Sequence, residues 1–441
     1  MNDIYRLLTI VLLAALMLAS HRGLKTWASP LVFYAGPFAV ILALQQILIP
    51  HVPFGGRAAS LIGGSALAFF AGTIVVWRKQ ATESAQPSYR RFIARDTRLL
   101  KLGVLISYVV ALYYLYELGQ VRASGVNVIN GTFYRADFYA SGGQTLTMRL
   151  LQALTYAAMF FIAFAATTVR RPTLLVAPMV LIMVAQSSAG SAKLPSILGL
   201  IIIVAVLAAV RPGAFRRLRP RLVLGAGAAV AVALLVFSLV TNDRSQGTGD
   251  VFAATEYSIL GPPSALSELL DGRQTVIELE GFGASFGGIV SALGGQERIF
   301  GEYAASVELT PGVYQSRTNI YTWLLPLQHD FGIAGALGLI GLLGAALTSL
   351  VMRAREGMLG VPGLGVLALG NLTLMFAPLN ALTYYNVWFV LLGMTVLLSL
   401  IFRFVENEPT SIQETSRNVS RRPGGDGRFE VRTREHSAYR R

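Results

Sequence analysis

Leu194-Pro195-Ser196-Ile197-Leu198-Gly199-Leu200-Ile201-Ile202-Ile203-Val204-Ala205-Val206-Leu207-Ala208-Ala209-Val210 runs without a charge between Lys193 and Arg211. At about 1.5 Å of rise per residue, such a run approaches the roughly 30 Å of a bilayer's hydrocarbon core. Comparable runs recur from Ile4 to Phe404, and they cannot all fit inside one soluble core. The composition agrees. Of 441 residues, 54% are hydrophobic and 14% charged, whereas an ordinary soluble domain carries about 25% charged residues.

Spans are expected near 4–20, 30–49, 59–77, 102–120, 147–168, 173–189, 194–210, 222–240, 331–352, 359–377 and 385–403. The chain therefore reads as an all-α polytopic membrane protein of about 11 transmembrane helices with one large extracytoplasmic loop. Its parts are an N-terminal membrane bundle (1–240), the large loop (241–330), a C-terminal bundle (331–404) and a basic tail (405–441) expected to be disordered at the cytoplasmic surface. The first twenty residues resemble a signal peptide. A retained first helix is favoured, because further spans follow and Arg22 and Lys25 hold its end in the cytoplasm.

The net charge of +14 is explained by topology and calls for no nucleic-acid partner. With the C-terminus inside, the loop 78–101, the pair Arg170-Arg171, the cluster from Arg211 to Arg221 and Arg353 with Arg355 all fall in the cytoplasm, as the positive-inside rule requires. Only Arg6, Arg57, Arg122, Arg135, Arg149, Lys193, Arg244, Arg273, Arg298 and Arg317 of the 37 Lys and Arg lie outside. Most of these are expected to be solvated or paired with outer acids. The absence of Cys excludes disulfides, thiolate metal sites and a cysteine nucleophile.

The loop 241–330 is rich in aromatic and aliphatic residues among its glycines, so it should pack as a cap over the membrane domain, with helical stretches at 264–270 and 286–293. It ends in Arg317-Thr318-Asn319-Ile320-Tyr321-Thr322-Trp323-Leu324-Leu325-Pro326-Leu327-Gln328-His329-Asp330-Phe331-Gly332. Ile320, Trp323, Leu324, Leu327 and Phe331 fall on one helical face. That spacing predicts a helix lying on the membrane interface and turning into the ninth span, with Pro326 as the kink. On this reading His329 and Asp330 stand at the membrane boundary. A plain amphipathic helix whose His and Asp merely face water is the alternative.

The Thr318-Asn319-Ile320-Tyr321-Thr322 element, Pro326 and Asp330-Phe331-Gly332 with Gly335 resemble the segment that follows the main periplasmic loop in O-antigen polymerases and related oligosaccharide repeat-unit polymerases. The overall plan resembles theirs too, as does the short motif Ser187-Ser188-Ala189-Gly190-Ser191-Ala192-Lys193-Leu194. Family members often carry Arg at the Lys193 position, and also just before the proline, where this chain has Leu325. The resemblance implies a glycosyltransferase C-like fold in the bacterial inner membrane. It implies transfer of a growing glycan from undecaprenyl pyrophosphate to another lipid-linked repeat unit at the periplasmic face, building O-antigen or exopolysaccharide. No metal or cofactor is required in that picture. Membrane lipid and a chain-length regulator or other export proteins are the implied partners.

Pyrophosphate needs cations to hold its charge, and Arg suits it by donating two hydrogen bonds from a planar fork. Lys193, in a very short outer turn, is the first candidate, followed by Arg317, Arg298, Arg244 and Arg149, with Asn319, Tyr321 and Tyr303 as further substrate-binding residues. For the base that removes the acceptor hydroxyl proton, His329 is preferred, since an imidazole titrates near about 6.5. Asp330 is its rival, and Glu302 is second-line; His51 reads as a turn residue. His329 and Asp330 are adjacent, so on one helix they point about 100° apart and are not expected to bond each other. Asp330 is then either the base or a cap on the ninth span.

Gly281-Phe282-Gly283-Ala284-Ser285-Phe286-Gly287-Gly288 is discounted as a nucleotide loop, because no strand precedes it and it lies outside the cell. Tyr113, Tyr114 and Tyr116 read as an aromatic belt or a sugar-stacking surface. An O-antigen ligase, using the same donor with a different acceptor, is the nearest competing function. A transporter or flippase is the non-enzyme alternative, but neither repeated halves nor intramembrane charges are evident.

Overall fold

The computed structural model describes residues 2–80, 90–123, 146–189, 194–211, 260–272, 284–286, 307–309, 317–318 and 322–406. The helices are α1 (Asn2–Leu24), α2 (Pro30–Leu48), α3 (Gly56–Gln80), α4 (Thr97–Ala123), α5 (Leu146–Ala166), α6 (Thr173–Ala189), α7 (Leu194–Val210), α8 (Pro262–Leu270), α9 (Leu324–Arg355), α10 (Val361–Phe376) and α11 (Asn386–Ile401). Among the described residues six are long and apolar enough to cross a membrane: α1 to α5 and α9. Four shorter apolar helices, α6, α7, α10 and α11, accompany them. The chain is thus a mostly helical membrane protein. The expected span 222–240 lies outside the described residues.

Local signals set the boundaries. Ser29 caps α2 with its hydroxyl accepting from the Val32 N–H at 3.3 Å, and Pro30 fills the first helical position, where a missing N–H costs nothing. The helix stops where Pro50 follows Ile49. Pro37 and Pro178 stand inside α2 and α6, as prolines do in membrane helices whose neighbours satisfy the freed carbonyls.

The tightest helix pair is α3 with α9. A Cβ at Gly72 would lie 2.9 Å from the Ala345 nitrogen and closer still to the Gly341 carbonyl oxygen; one at Gly341 would lie 3.2 Å from the Ala68 carbonyl oxygen. Small residues let these two backbones touch, the usual basis of helix association where lipid supplies no hydrophobic drive. Thr348 donates across the same seam to Thr73 at 3.1 Å. On the other flank α5 packs on α4, α7 and α11, while α10 joins the two sides through α2 and α7.

The segments collect at two ends. At one, Arg355 bonds the Leu24 carbonyl, Arg211 bonds the Thr167 carbonyl, and β1 (Arg90–Ala94) pairs antiparallel with β4 (Phe402–Glu406), Phe92 opposite Phe404. The ribbon is sealed by Phe92, Phe164, Phe402 and Phe404, with ring centroids 5.0–6.4 Å apart. This end gathers loops that the charge pattern assigns to the cytoplasm, though the ribbon itself has no counterpart in the sequence reading. At the other end lie the α2–α3 turn, α8, the 3₁₀ turn Ala284–Phe286, the start of α9 and the α10–α11 turn with its 3₁₀ turn Leu382–Tyr384. A second, two-residue ribbon pairs β2 (Val307–Glu308) with β3 (Arg317–Thr318).

Two expectations fail here. Residues 317–318 are strand, and the helix begins only at Leu324. Trp323, Leu324 and Leu327 are buried in the main core, so the predicted apolar face serves protein packing rather than the membrane interface. Nor is Pro326 the kink. It sits in the first turn of α9, where it breaks no hydrogen bond, and the helix breaks instead at Gly332, with φ 65° and ψ 175°. Only glycine adopts that backbone freely.

Candidate active site

The break at Gly332 divides α9 into a short helix, 324–331, and the long span behind it. The short helix is held at its start, where the Trp323 N–H donates to the Ala377 carbonyl at 2.8 Å. Leu324 and Leu327 bury its inner face. His329 and Asp330 occupy its last turn, beside the docked 3₁₀ turn Ala284–Phe286.

Contrary to the expectation from helical geometry alone, the two side chains meet. His329 Nδ1 lies 3.0 Å from Asp330 Oδ1. The Asp330 side chain is fully buried and that of His329 is 22% exposed. Asp330 Oδ2 accepts from the Ser285 N–H at 2.7 Å, and the Ser285 carbonyl in turn accepts from Thr383 Oγ1 at 2.7 Å. A carboxylate facing Nδ1 fixes the proton there and leaves Nε2 as the acceptor, which is how a histidine is prepared to take a proton from a substrate. The Asp330 carboxylate thus joins the neighbouring ring to a segment 45 residues away in the chain.

On the segment that carries the pair and the turn docked on it, several buried polar atoms have no hydrogen-bond partner among the described residues: Ser285 Oγ, Thr322 Oγ1, Trp323 Nε1 and Gln328 Oε1. Gln328 belongs to the short helix, Thr322 and Trp323 immediately precede it and Ser285 belongs to the docked turn, so polar groups able to take a ligand are present along this segment. Among the described residues no group of three or more His, Cys, Asp or Glu is arranged to hold a metal ion.

Of the other predicted site residues, Glu302, Lys193, Arg298, Arg244, Asn319, Tyr321 and Tyr303 lie outside the described residues. Arg317 is placed as backbone in β3. Arg149 is exposed in the first turn of α5. Tyr113 and Tyr116 stack at 6.4 Å and are both exposed, whereas Tyr114 is buried.

Two of the cations expected on the outer side, Arg6 and Arg57, bond backbone carbonyls. Arg6 is fully buried, donating from Nη2 to the Val52 carbonyl at 2.5 Å and from Nη1 to Gln46 at 3.2 Å, with Asp3 3.8 Å away. Arg57 donates to the Leu270 carbonyl at 2.7 Å, Gln45 bonds Ser264 and the Leu260 carbonyl, and the Gly55 N–H donates to Ser267 at 2.6 Å, so α8 is pinned to the α2–α3 turn. Sequence reading did not foresee that Ser285 and Thr383 join this pair. The glycine-rich run around Ser285 was the available signal, read only for nucleotide binding.

Comparison with protein-family models, with curated proteins and with solved structures finds no match to this chain.

Proposed function

We propose that this protein is a membrane glycosyltransferase that joins undecaprenyl-pyrophosphate-linked oligosaccharide repeat units into O-antigen or exopolysaccharide at the periplasmic face of the bacterial inner membrane. The observation that carries the reading is the His329–Asp330 pair, held at the end of a broken helix beside a docked segment of the long loop. The resemblance of the Thr318–Gly332 stretch to repeat-unit polymerases supplies the substrate class.

In this mechanism the acceptor sugar's hydroxyl attacks the anomeric carbon of the donor glycan. His329 Nε2 takes the hydroxyl proton as the new carbon–oxygen bond forms. The bond from the anomeric carbon to the pyrophosphate oxygen breaks, and the lipid pyrophosphate leaves with the electron pair. Asp330 holds the imidazole in the tautomer this needs and steadies the imidazolium that results. Lys193 and Arg317 are proposed to neutralise the departing pyrophosphate. The unpartnered polar atoms of Thr322, Trp323, Gln328 and Ser285 suit a ligand rich in hydroxyls.

The test is to reconstitute the purified chain in proteoliposomes with a lipid-linked repeat unit and resolve the products by size. A ladder from the wild-type protein, lost in His329→Gln, is the expected outcome. Single transfer to a different lipid acceptor without a ladder would establish the ligase reading. Translocation with no new glycosidic bond would establish a transporter.

A further inference from the structure

Thr383 has no part in the reaction just described, yet it is tied to the base through Ser285 and Asp330 by consecutive hydrogen bonds. Thr383 Oγ1 donates to the Ser285 carbonyl at 2.7 Å, the Ser285 N–H donates to Asp330 Oδ2 at 2.7 Å, and Asp330 Oδ1 meets His329 Nδ1 at 3.0 Å. The chain runs from the α10–α11 turn, through the large loop, to the last turn of the short helix. Thr383 and Ser285 are buried, with 5% and 0% exposure. A bond broken there is not readily replaced by water, and the buried donor or acceptor is left unsatisfied.

The geometry points to Thr383 as a positioning residue for His329, acting by seating the Ser285 turn so that its N–H faces Asp330. Both carboxylate oxygens are engaged: with Oδ2 bonded by the Ser285 N–H, Oδ1 is directed at the imidazole, and with the turn unseated that N–H no longer sets the aim of the carboxylate. Seating of the Ala284–Phe286 turn and orientation of the base are then coupled through the Ser285 backbone. Catalytic groups are held by neighbours of this kind, and their loss commonly costs about 10- to 100-fold. The inference rests on His329 being the base, but the orientation of its ring can be read without any substrate.

The experiment is nitrogen-15 NMR of histidine-labelled protein in detergent micelles. The His329 resonances are assigned by their loss in His329→Gln, and the Nδ1–H tautomer is read at a pH where the ring is neutral. Thr383→Val keeps the side-chain shape and removes the donor; Thr383→Ser keeps the hydroxyl. The wild-type protein and Thr383→Ser are expected to hold His329 mainly as Nδ1–H. Thr383→Val should lose that preference, as Asp330→Asn should, and glycan transfer should fall about 10- to 100-fold in Thr383→Val and largely recover in Thr383→Ser. If Thr383→Val does not accumulate, Thr383→Ala compared with Thr383→Ser makes the same distinction. A wild-type tautomer and rate in the donor-less variant would overturn the inference. Tautomers behaving as expected in a protein that makes no glycosidic bond would support the positioning role and overturn the polymerase reading instead.

Discussion

Replacing Gly72 by Ala tests whether the α3–α9 seam fixes the candidate site. The added Cβ would stand 2.9 Å from the Ala345 nitrogen and inside that distance of the Gly341 carbonyl oxygen, where ordinary contact begins at 3.4 Å. Relieving the nitrogen alone requires about 0.5 Å of separation, and the oxygen requires more. Both obstacles are helix backbone, which cannot rotate aside, so the cost belongs at the upper end of the roughly 1–3 kcal/mol seen for overpacked cores. That is about two powers of ten in the folding equilibrium. Because α9 carries His329 at its far end, a shift of about half an ångström also reaches the tolerance of a catalytic constellation. A melting series in detergent, paired with transfer assays, provides the measurement. Gly72→Ala should melt lowest, and Gly341→Ala, whose Cβ meets the Ala68 carbonyl oxygen at 3.2 Å, should fall between. Gly338→Ala, exposed on the same helix with nothing within 4 Å, should match wild type. Equal melting temperatures for Gly72→Ala and Gly338→Ala would refute the close crossing.

Three other outcomes are expected. His329→Gln and Asp330→Asn should each cut transfer by about 10²- to 10⁴-fold, and the double variant should lose little more than His329→Gln alone, because the two act as one unit; additive losses in a kinetic cycle would separate them. Gly332→Ala forces a side chain into a φ of 65° and should cost roughly 1–3 kcal/mol, lowering both melting temperature and transfer. Unchanged values would mean the helix does not break there. Reporter fusions after Arg219 and after Gly281 should report cytoplasmic and extracytoplasmic positions respectively, and finding both on one side would discard the topology.

The first turns of α9 illustrate how far local pattern reaches. The apolar spacing of Trp323, Leu324 and Leu327 identified a helix with one apolar face, since a helical repeat is a property of neighbours in the chain. The same spacing assigned that face to the membrane interface, whereas the face packs in the protein core. It misplaced the kink, because Pro326 lies in a first turn where its missing N–H is harmless, while Gly332 breaks the helix through a backbone conformation that no spacing encodes. The ring–carboxylate contact at His329 and Asp330 was missed for a related reason. Helical geometry sets where Cα–Cβ bonds point, but rotamers near a helix end decide whether adjacent side chains meet. Arg6 was read among outer cations expected mostly to be solvated or paired with acids, and its burial depends on carbonyl and amide partners contributed by α2 and the following turn.

The sequence by itself determined that the chain is membrane-embedded and helical, where most of its apolar helices lie, and which loops share an end. In a bilayer every backbone polar group must be satisfied within the segment, and basic loops stay on one side, so these properties can be read along the chain one segment at a time. Only the tertiary structure decided that Asp330 is joined to Ser285, 45 residues away, and Ser285 to Thr383, 98 residues away. It also decided that α3 and α9 touch backbone to backbone. A hydrogen bond spans about 3 Å and a clash is settled within tenths of an ångström, and contacts on that scale between distant segments leave no periodic trace in either one.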